Sequence, residues 1–394
     1  MFSKTNFKNK KVLVRVDFNV PLNDNFSIAD DTRIQAAIPT ILKIMKDGGS
    51  AILMSHLGRP KEGPEEKYSL KHLLKHLKKQ IPFEVIFVED CVGLEAVKAA
   101  KQLQPSQVLL LENLRFHKEE KEGDKGFAKQ LAHLADVYVN DAFGTAHRAH
   151  ASTAVIADFF KPENKMFGLL MEKEVNNLKH LTAANAKPVT AIIGGAKISS
   201  KINVVENLLD VVDHLIIGGA MAYTFYRAQG FNIGNSLFEA DRVDIAQKAL
   251  VKAAANEVQI HLPIDSLVAD NFSENARTQT TIDQNIPLDW MGLDIGPKTI
   301  ANYKTIILNS KTILWNGPMG VFEMNKFKNG TLEIAKAIAQ ATANGSYSLV
   351  GGGDSVAALK QFELQDQVSY VSTGGGAMLE MLEGKELPGV TAMG

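Results

Sequence analysis

Four short segments in the first half of this sequence place arginine, histidine or small polar side chains just beyond an apolar run. In Arg15-Val16-Asp17-Phe18-Asn19-Val20-Pro21, Asp17 and Asn19 share one parity, and the same spacing also suits an Asx-type turn before Pro21. In Ser55-His56-Leu57-Gly58-Arg59-Pro60, Gly58 and Pro60 shape a turn that can present His56 and Arg59. Leu110 to His117 and Asn140 to His150 repeat the pattern with Arg115 and Arg148. Arg33 stands in the first turn of a candidate helix, after Asp31 and Thr32, either of which can cap it; a surface arginine there is the ordinary alternative. A single arginine is usually a solvated surface charge. Several at equivalent strand ends favour an anion, because the guanidinium fork grips carboxylate and phosphate oxygens bidentately.

The second half offers glycine in place of arginine. Ile192 to Lys201 reads as strand, glycine turn and helix, with Lys197 and Lys201 four residues apart on one helix face. It is neither a Walker motif nor a Gly-x-Gly-x-x-Gly dinucleotide fingerprint. Gly351-Gly352-Gly353-Asp354-Ser355 and Gly374-Gly375-Gly376 each join a strand to a helix. Bare amides and the helix dipole favour phosphate oxygens at such a junction, although a tight turn needing positive φ explains one cluster as well. Asp354 is suited to a magnesium ion shared with nucleotide phosphates. Trp315 to Glu323 forms another post-strand loop, in which Glu323 can receive ribose hydroxyls. Gly218 to Met221 and Met291 to Pro297 can give close backbone contact with a flat base, or be ordinary turns.

These segments must be positioned by alternating elements. Strands are expected at Val12–Val20, Ala51–Ser55, Val85–Val88, Val108–Leu111 and Val137–Val139, with helices from Thr32, stopped at Gly48 and Gly49, and at Ser69–Lys79 and Leu94–Leu103. After a helical stretch over Met166–Leu181 the alternation resumes. Strands follow at Val189–Ile193, His214–Ile217, Val258–Leu262, Lys311–Trp315, Tyr347–Val350 and Gln367–Val371, with helices at Ile198–Leu209, Asp241–Ala255 and Leu332–Ala341. The expected class is α/β: two doubly wound parallel-sheet (Rossmann-like) domains joined by a helical hinge.

Composition agrees. Hydrophobic residues are 45% and charged residues 22% of 394, an ordinary globular balance at a length that favours two cores. Residues 1–170 hold 25 Lys and Arg against 21 Asp and Glu, leaving 18 against 23 in residues 171–394. Five of eight arginines and seven of ten histidines lie in the first part, which suggests a small anion there and is too weak for a nucleic-acid surface. The polar start and the lack of about 18 uninterrupted apolar residues lead to the expectation of a cytoplasmic chain without membrane contact. The single cysteine, Cys91, has no disulfide partner and, with no second thiol nearby, no zinc-site spacing, and is expected to be a buried structural thiol.

The ordered blocks RVDFNVPL, DTRI, SHLGRP, LENLRFH, NDAFGTAHRAH, GGAKISSK, GGAMAYTF, GLDIGP, LWNGPMGVFE, VGGGDS and STGGGA span nearly the whole chain, and with them it closely resembles the phosphoglycerate kinase family. The resemblance implies reversible phosphoryl transfer from 1,3-bisphosphoglycerate to ADP, giving 3-phosphoglycerate and ATP after hinge closure. It implies a glycerate-binding domain over 1–170, to which a tail from about 380 to 394 returns, and a nucleotide-binding domain over 171–379. Substrate binding would fall to Asp17, Phe18, Asn19, Arg33, His56, Leu57, Gly58, Arg59, Arg115 and Arg148. Nucleotide binding would fall to Lys197, Lys201, Gly219, Gly292, Asn316, Pro318, Glu323, Gly351, Gly352, Gly353, Asp354 and Ser355. Arg33, Lys197, Lys201, Gly374, Gly375 and Gly376 would flank the transferred group, with Mg2+ on Asp354 and the enzyme a monomer.

Overall fold

The computed structural model describes every residue of the chain except Glu62, Ala184 and Asn185. It divides into two compact units, Met1–Asn176 with Glu386–Gly394, and Asn177–Lys385.

The first unit is built on strands β1 (Lys11–Val16), β2 (Ser50–Met54), β3 (Glu84–Phe87), β4 (Gln107–Leu110), β5 (Val137–Asp141) and β6 (Lys165–Phe167). They form one sheet in the order β3-β4-β2-β1-β5-β6, and every pairing is parallel. The period of two along each strand creates two cores. Val12, Val14 and Val16 join Leu53 and Val139 under the helix Thr32–Lys46, which contributes Ile34, Ile41 and Ile44. Leu13, Ile52, Leu109 and Tyr138 point the other way, onto Ala96 and Ala100 of the helix Gly93–Gln102 and Phe127 and Leu131 of the helix Lys125–Ala132. Because both faces are covered, the strands are largely apolar along their middles and do not alternate with polar residues, Arg15 in β1 being the exception. The last residues return to this unit: Gly389 N–H donates to Ala146 O at 2.8 Å, and Lys165 Nζ to Ala392 O at 2.8 Å.

The second unit carries β7 (Val189–Ile193), β8 (His214–Ile217), β9 (Gln259–His261), β10 (Ser266–Ala269), β11 (Thr278–Thr280), β12 (Met291–Ile295), β13 (Thr312–Asn316), β14 (Tyr347–Val350) and β15 (Tyr370–Val371). Six of these make a parallel sheet in the order β15-β14-β13-β7-β8-β9. Trp315, Ile313 and Val350 pack there against Tyr303 and Ile307 of the helix Pro297–Leu308 and Ile334 and Ile338 of the helix Asn329–Ala343.

Several expectations are corrected. The first strand stops at Val16, four residues early, because Asp17 turns the backbone. The expected helix over Met166–Leu181 starts at Leu169, and Met166 belongs to β6, a sixth strand hidden by its three-residue length. A three-stranded antiparallel sheet, β11-β10-β12, was not anticipated; its exposed strand Thr278–Thr280 is wholly polar, so it carries no apolar alternation. Met291 to Ile295 is strand, not the ordinary turn that was one of its two expected readings. The helix expected from Ile198 begins only at Ile202.

Candidate functional site

In an open parallel sheet, loops at the carboxyl ends of the strands part where the strand order reverses, and ligands bind there. In the first unit this happens around β1. Asp17 Oδ1 accepts the Asn19 N–H at 3.3 Å, so the Asx turn is present. Asn19 itself reaches across, its Oδ1 accepting the Gly58 N–H at 2.8 Å and its carbonyl accepting from Arg33 Nη1 at 2.8 Å. Arg33 also lies 3.4 Å from Asp17 Oδ2. Arg115 Nη1 donates to Gly58 O at 2.8 Å, which extends the chain of backbone and side-chain bonds across the loops after β1, β2 and β4. Gly58 holds φ +63°, and a Cβ there would lie 2.2 Å from Tyr68 Cδ1, so only glycine fits. Neither Asp31 nor Thr32 caps the helix; Asp30 Oδ1 accepts the Thr32 N–H at 2.9 Å instead.

Other expected residues are placed differently. Arg59 and Arg148 are exposed, whereas the Phe18 and Leu57 side chains lie in the core. Their backbones serve the loops: Phe18 N–H donates to Ser55 Oγ and Leu57 N–H to Asn113 Oδ1. His56 is buried, and burial followed by Arg15, Arg115 and Arg33 holds its pKa well below the ordinary range, so it is neutral rather than one of the cations. Burial and Arg115 likewise push His150 down to about 4.

Arg15, not among the expected site residues, stands behind His56. It is fully buried, donates from Nε to Ser152 Oγ at 2.9 Å and approaches His56 Nδ1 with Nη2 at 3.2 Å. The arginine can only donate, so Nδ1 accepts and the imidazole proton sits on Nε2. Ser152 in turn donates from Oγ to Glu120 Oε1 at 2.6 Å and from its amide to Oε2 at 3.0 Å, and Glu120 is also fully buried. The signal was available: a lone arginine inside the apolar strand KVLVRV must find a buried counter-charge. Removing that anion leaves Arg15 uncompensated. Glu120→Ala is therefore expected to cost about 3–5 kcal/mol of stability, read from the urea midpoint. Exposed Arg59→Ala should stay within about 0.5 kcal/mol. Equal midpoints for the two variants would show that the buried network does not carry this charge.

In the second unit the strand order reverses between β7 and β13, which are neighbours. The loops after them lock together: Gly194 N–H donates to Asn316 O at 3.0 Å and Gly195 N–H to Pro318 O at 3.1 Å. Lys197 and Lys201 do not share a helix face. Lys201 is the residue before the first helical turn, and Lys197 is exposed in the preceding loop. Lys201 Nζ donates to Gly194 O at 2.7 Å and Asn316 O at 3.1 Å, and burial brings its pKa down to about 8. Gly317 has φ +104°, and a Cβ on it would stand 2.3 Å from Gly194 O and 2.6 Å from that Nζ.

Asn316 is buried and braces the glycine loop, donating from Nδ2 to Gly351 O at 2.9 Å, while Gly317 N–H donates to Ser355 Oγ at 2.5 Å. The helices Gly353–Gln361 and Gly375–Leu382 start at the two glycine clusters, and a Cβ on Gly375 would lie 2.9 Å from Gly352 Cα. The clusters thus abut. Beside them lies a cavity of about 510 Å3 lined by Gly195, Gly219, Gly292, Pro318, Glu323 and Asp354. Tyr223 from the helix Met221–Ala228, Val321 from the loop after β13, and Leu237 and Phe272 complete its apolar wall. A cavity with apolar walls and bare helix N-termini at one end can hold a flat base and its phosphates.

A sequence profile described as phosphoglycerate kinase matches residues 2–385. A relative named phosphoglycerate kinase from Porphyromonas gingivalis is 52% identical, over 98% of this chain and 98% of its own. The cytosolic phosphoglycerate kinase of Nicotiana tabacum is 50% identical, over 99% of this chain and 96% of its own. The solved structure of phosphoglycerate kinase from Coxiella burnetii superposes with a TM-score of 0.90 at 42% identity, covering 99% of this chain and 97% of that one.

Proposed function

The chain belongs to the phosphoglycerate kinase family, and on that premise we propose how its two units divide the reaction. The activity is phosphoryl transfer between 1,3-bisphosphoglycerate and ADP, giving 3-phosphoglycerate and ATP, with a carboxyl group as acceptor in the reverse direction. The first unit binds the glycerate and the second the nucleotide. The observation that carries this reading is the contrast in donors: guanidinium groups at the carboxyl edge of one sheet, glycine-headed helices beside an apolar cavity at the carboxyl edge of the other.

On the glycerate side Arg33, Arg59, Arg115 and Arg148 supply positive charge, and Asp17, Asn19 and Gly58 hold the loops in register. His56 offers Nε2–H as a neutral donor. The attacking or leaving group is a carboxylate, ionised at neutral pH, so no general base is needed. What the chain must supply is alignment and stabilisation of charge on the moving phosphoryl oxygens. Arg33, Lys197, Lys201 and the amides of Gly374, Gly375 and Gly376 do this. Gly351, Gly352, Gly353 and Ser355 shape the phosphate loop, Glu323 faces the ribose, and Gly219, Gly292 and Pro318 bound the base. The Asp354 carboxylate, exposed in the first turn of its helix and lining the cavity, suits a hard cation that keeps most of its waters. Magnesium held there with the nucleotide would neutralise phosphate charge.

With each substrate on its own unit, closure of the units brings them together and excludes water, which would otherwise accept the phosphoryl group. The helix Leu169–Lys179 carries the chain from one unit to the next and is the proposed hinge. The enzyme acts as a monomer in the cytoplasm; among the described residues no helix is long and apolar enough to cross a membrane.

Gly292 gives the test of the nucleotide site. Its amide donates to Ser236 Oγ at 2.9 Å, and a Cβ would meet Tyr223 Oη at 1.9 Å, so alanine must displace the cavity wall. Gly292→Ala is expected to raise KM for ADP about tenfold, near 1.4 kcal/mol, with KM for the glycerate unchanged. An unaltered KM for ADP would remove this wall from the nucleotide site.

A further inference from the structure

At the β3 end of the first sheet, away from β1, three side chains of different chemistry meet. Asp90 and Cys91 lie in the loop after β3, and His117 follows the turn after the neighbouring strand β4. A carboxylate oxygen of Asp90, the Cys91 sulfur and a ring nitrogen of His117 all lie within 4.8 Å of one another. His117 Nε2 is 2.8 Å from Asp90 Oδ1, and that oxygen also accepts the Cys91 N–H at 2.6 Å, which fixes the carboxylate from its own backbone. The His117 ring is held against Phe127, with centroids 5.2 Å apart. The thiol is 1% exposed, while Asp90 and His117 are 48% and 30% exposed, so the cluster has a dry floor and an open mouth.

We propose that Asp90, Cys91 and His117 form a binding site for a divalent cation of zinc's class, distinct from any magnesium that accompanies the nucleotide. Thiolate, imidazole and carboxylate together are the donor set of borderline-soft cations and not of magnesium, which takes oxygen ligands. Charge balances: one thiolate and one carboxylate neutralise a 2+ ion, with neutral imidazole as third ligand and water from the open side as fourth. On binding, the sulfur–hydrogen bond breaks, its proton passes to solvent and a sulfur–metal bond forms. The imidazole proton moves to Nδ1, freeing Nε2 to ligate, and the His117–Asp90 hydrogen bond is replaced by two metal bonds. The ion would clip the loop after β3 to the segment that carries Arg115, two residues before His117.

Cys91 is the chain's only cysteine, which makes the test clean. Reduced full-length protein, stripped with a chelator, is titrated with Co2+. A thiolate-to-cobalt charge-transfer band should appear, saturate at one equivalent and vanish on adding Zn2+. Cys91→Ala should abolish the band, and His117→Gln, at a side chain 30% exposed, should weaken binding about tenfold or more. Zn2+ should raise the thermal midpoint of the natural chain and leave that of Cys91→Ala unmoved. No charge-transfer band in the natural chain, or full-strength binding in His117→Gln, overturns the proposal in favour of a plain hydrogen-bonded pair beside a buried thiol.

Discussion

Arg33→Ala is expected to lower kcat by about 10²–10³-fold, the usual loss when one preorganised charge donor is removed from developing transition-state charge. The affinity for 3-phosphoglycerate should fall far less. The reason lies in how the side chain is held: its contacts to Asn19 O and Asp17 both use Nη1, which anchors the guanidinium by one corner while 37% of the side chain stays exposed. On the proposed reading, an anchored, partly solvated fork meets charge that appears only during transfer, whereas ground-state binding is shared with Arg115, Arg59 and Arg148. Arg33→Lys should recover only part of the loss, because a point charge cannot span two oxygens. Steady-state kinetics with an independent binding titration would decide. A raised KM at unchanged kcat would make Arg33 a binding residue only.

Lys201→Ala should have an effect of the same order on kcat, again about 10²–10³-fold, and it carries a pH signature besides. In the nucleotide-free protein, burial against Gly194 O and Asn316 O lowers its pKa to about 8, with Asp354 opposing the shift. The ammonium is therefore present below that pH and lost as pH rises through it. Bound phosphates favour the charged form and pull the pKa back up. It follows that kcat/KM for ADP, which reports the free enzyme, should fall as pH rises through about 8, while kcat stays flat over the same range. Lys201→Ala should lack that alkaline limb. Persistence of the limb in the variant would assign it to another group.

Much of this is legible in the sequence, and what is not has physical causes. Parallel strands buried on both faces announce themselves as apolar runs, so β2, β7, β8 and β14 were located within a residue or two. Short or edge elements do not: β6 has three residues and β11 is entirely polar, and with the antiparallel sheet goes Phe272 of the cavity wall, just after β10. Spacing placed Lys197 and Lys201 correctly as neighbours of the glycine turn but not on a helix, since Gly194 and Gly195 let the chain run on as an irregular loop to Ile202. Residue type misled at His56, read with the cations although burial among arginines keeps it neutral. Arg15 shows the converse, because a buried arginine in a strand is visible in sequence only to a reader who asks what pays its desolvation.

We propose that each unit holds one substrate, glycerate on the arginine face and nucleotide on the glycine-headed helices. Backbone amide NMR of the full chain tests it most directly, with 3-phosphoglycerate and Mg·ADP added separately. On its own, 3-phosphoglycerate should shift the amides of Asn19, Gly58 and Arg115, and Mg·ADP on its own those of Gly195, Gly219, Gly353 and Gly375. Shifts from 3-phosphoglycerate confined to the second set, or from Mg·ADP confined to the first, would contradict it.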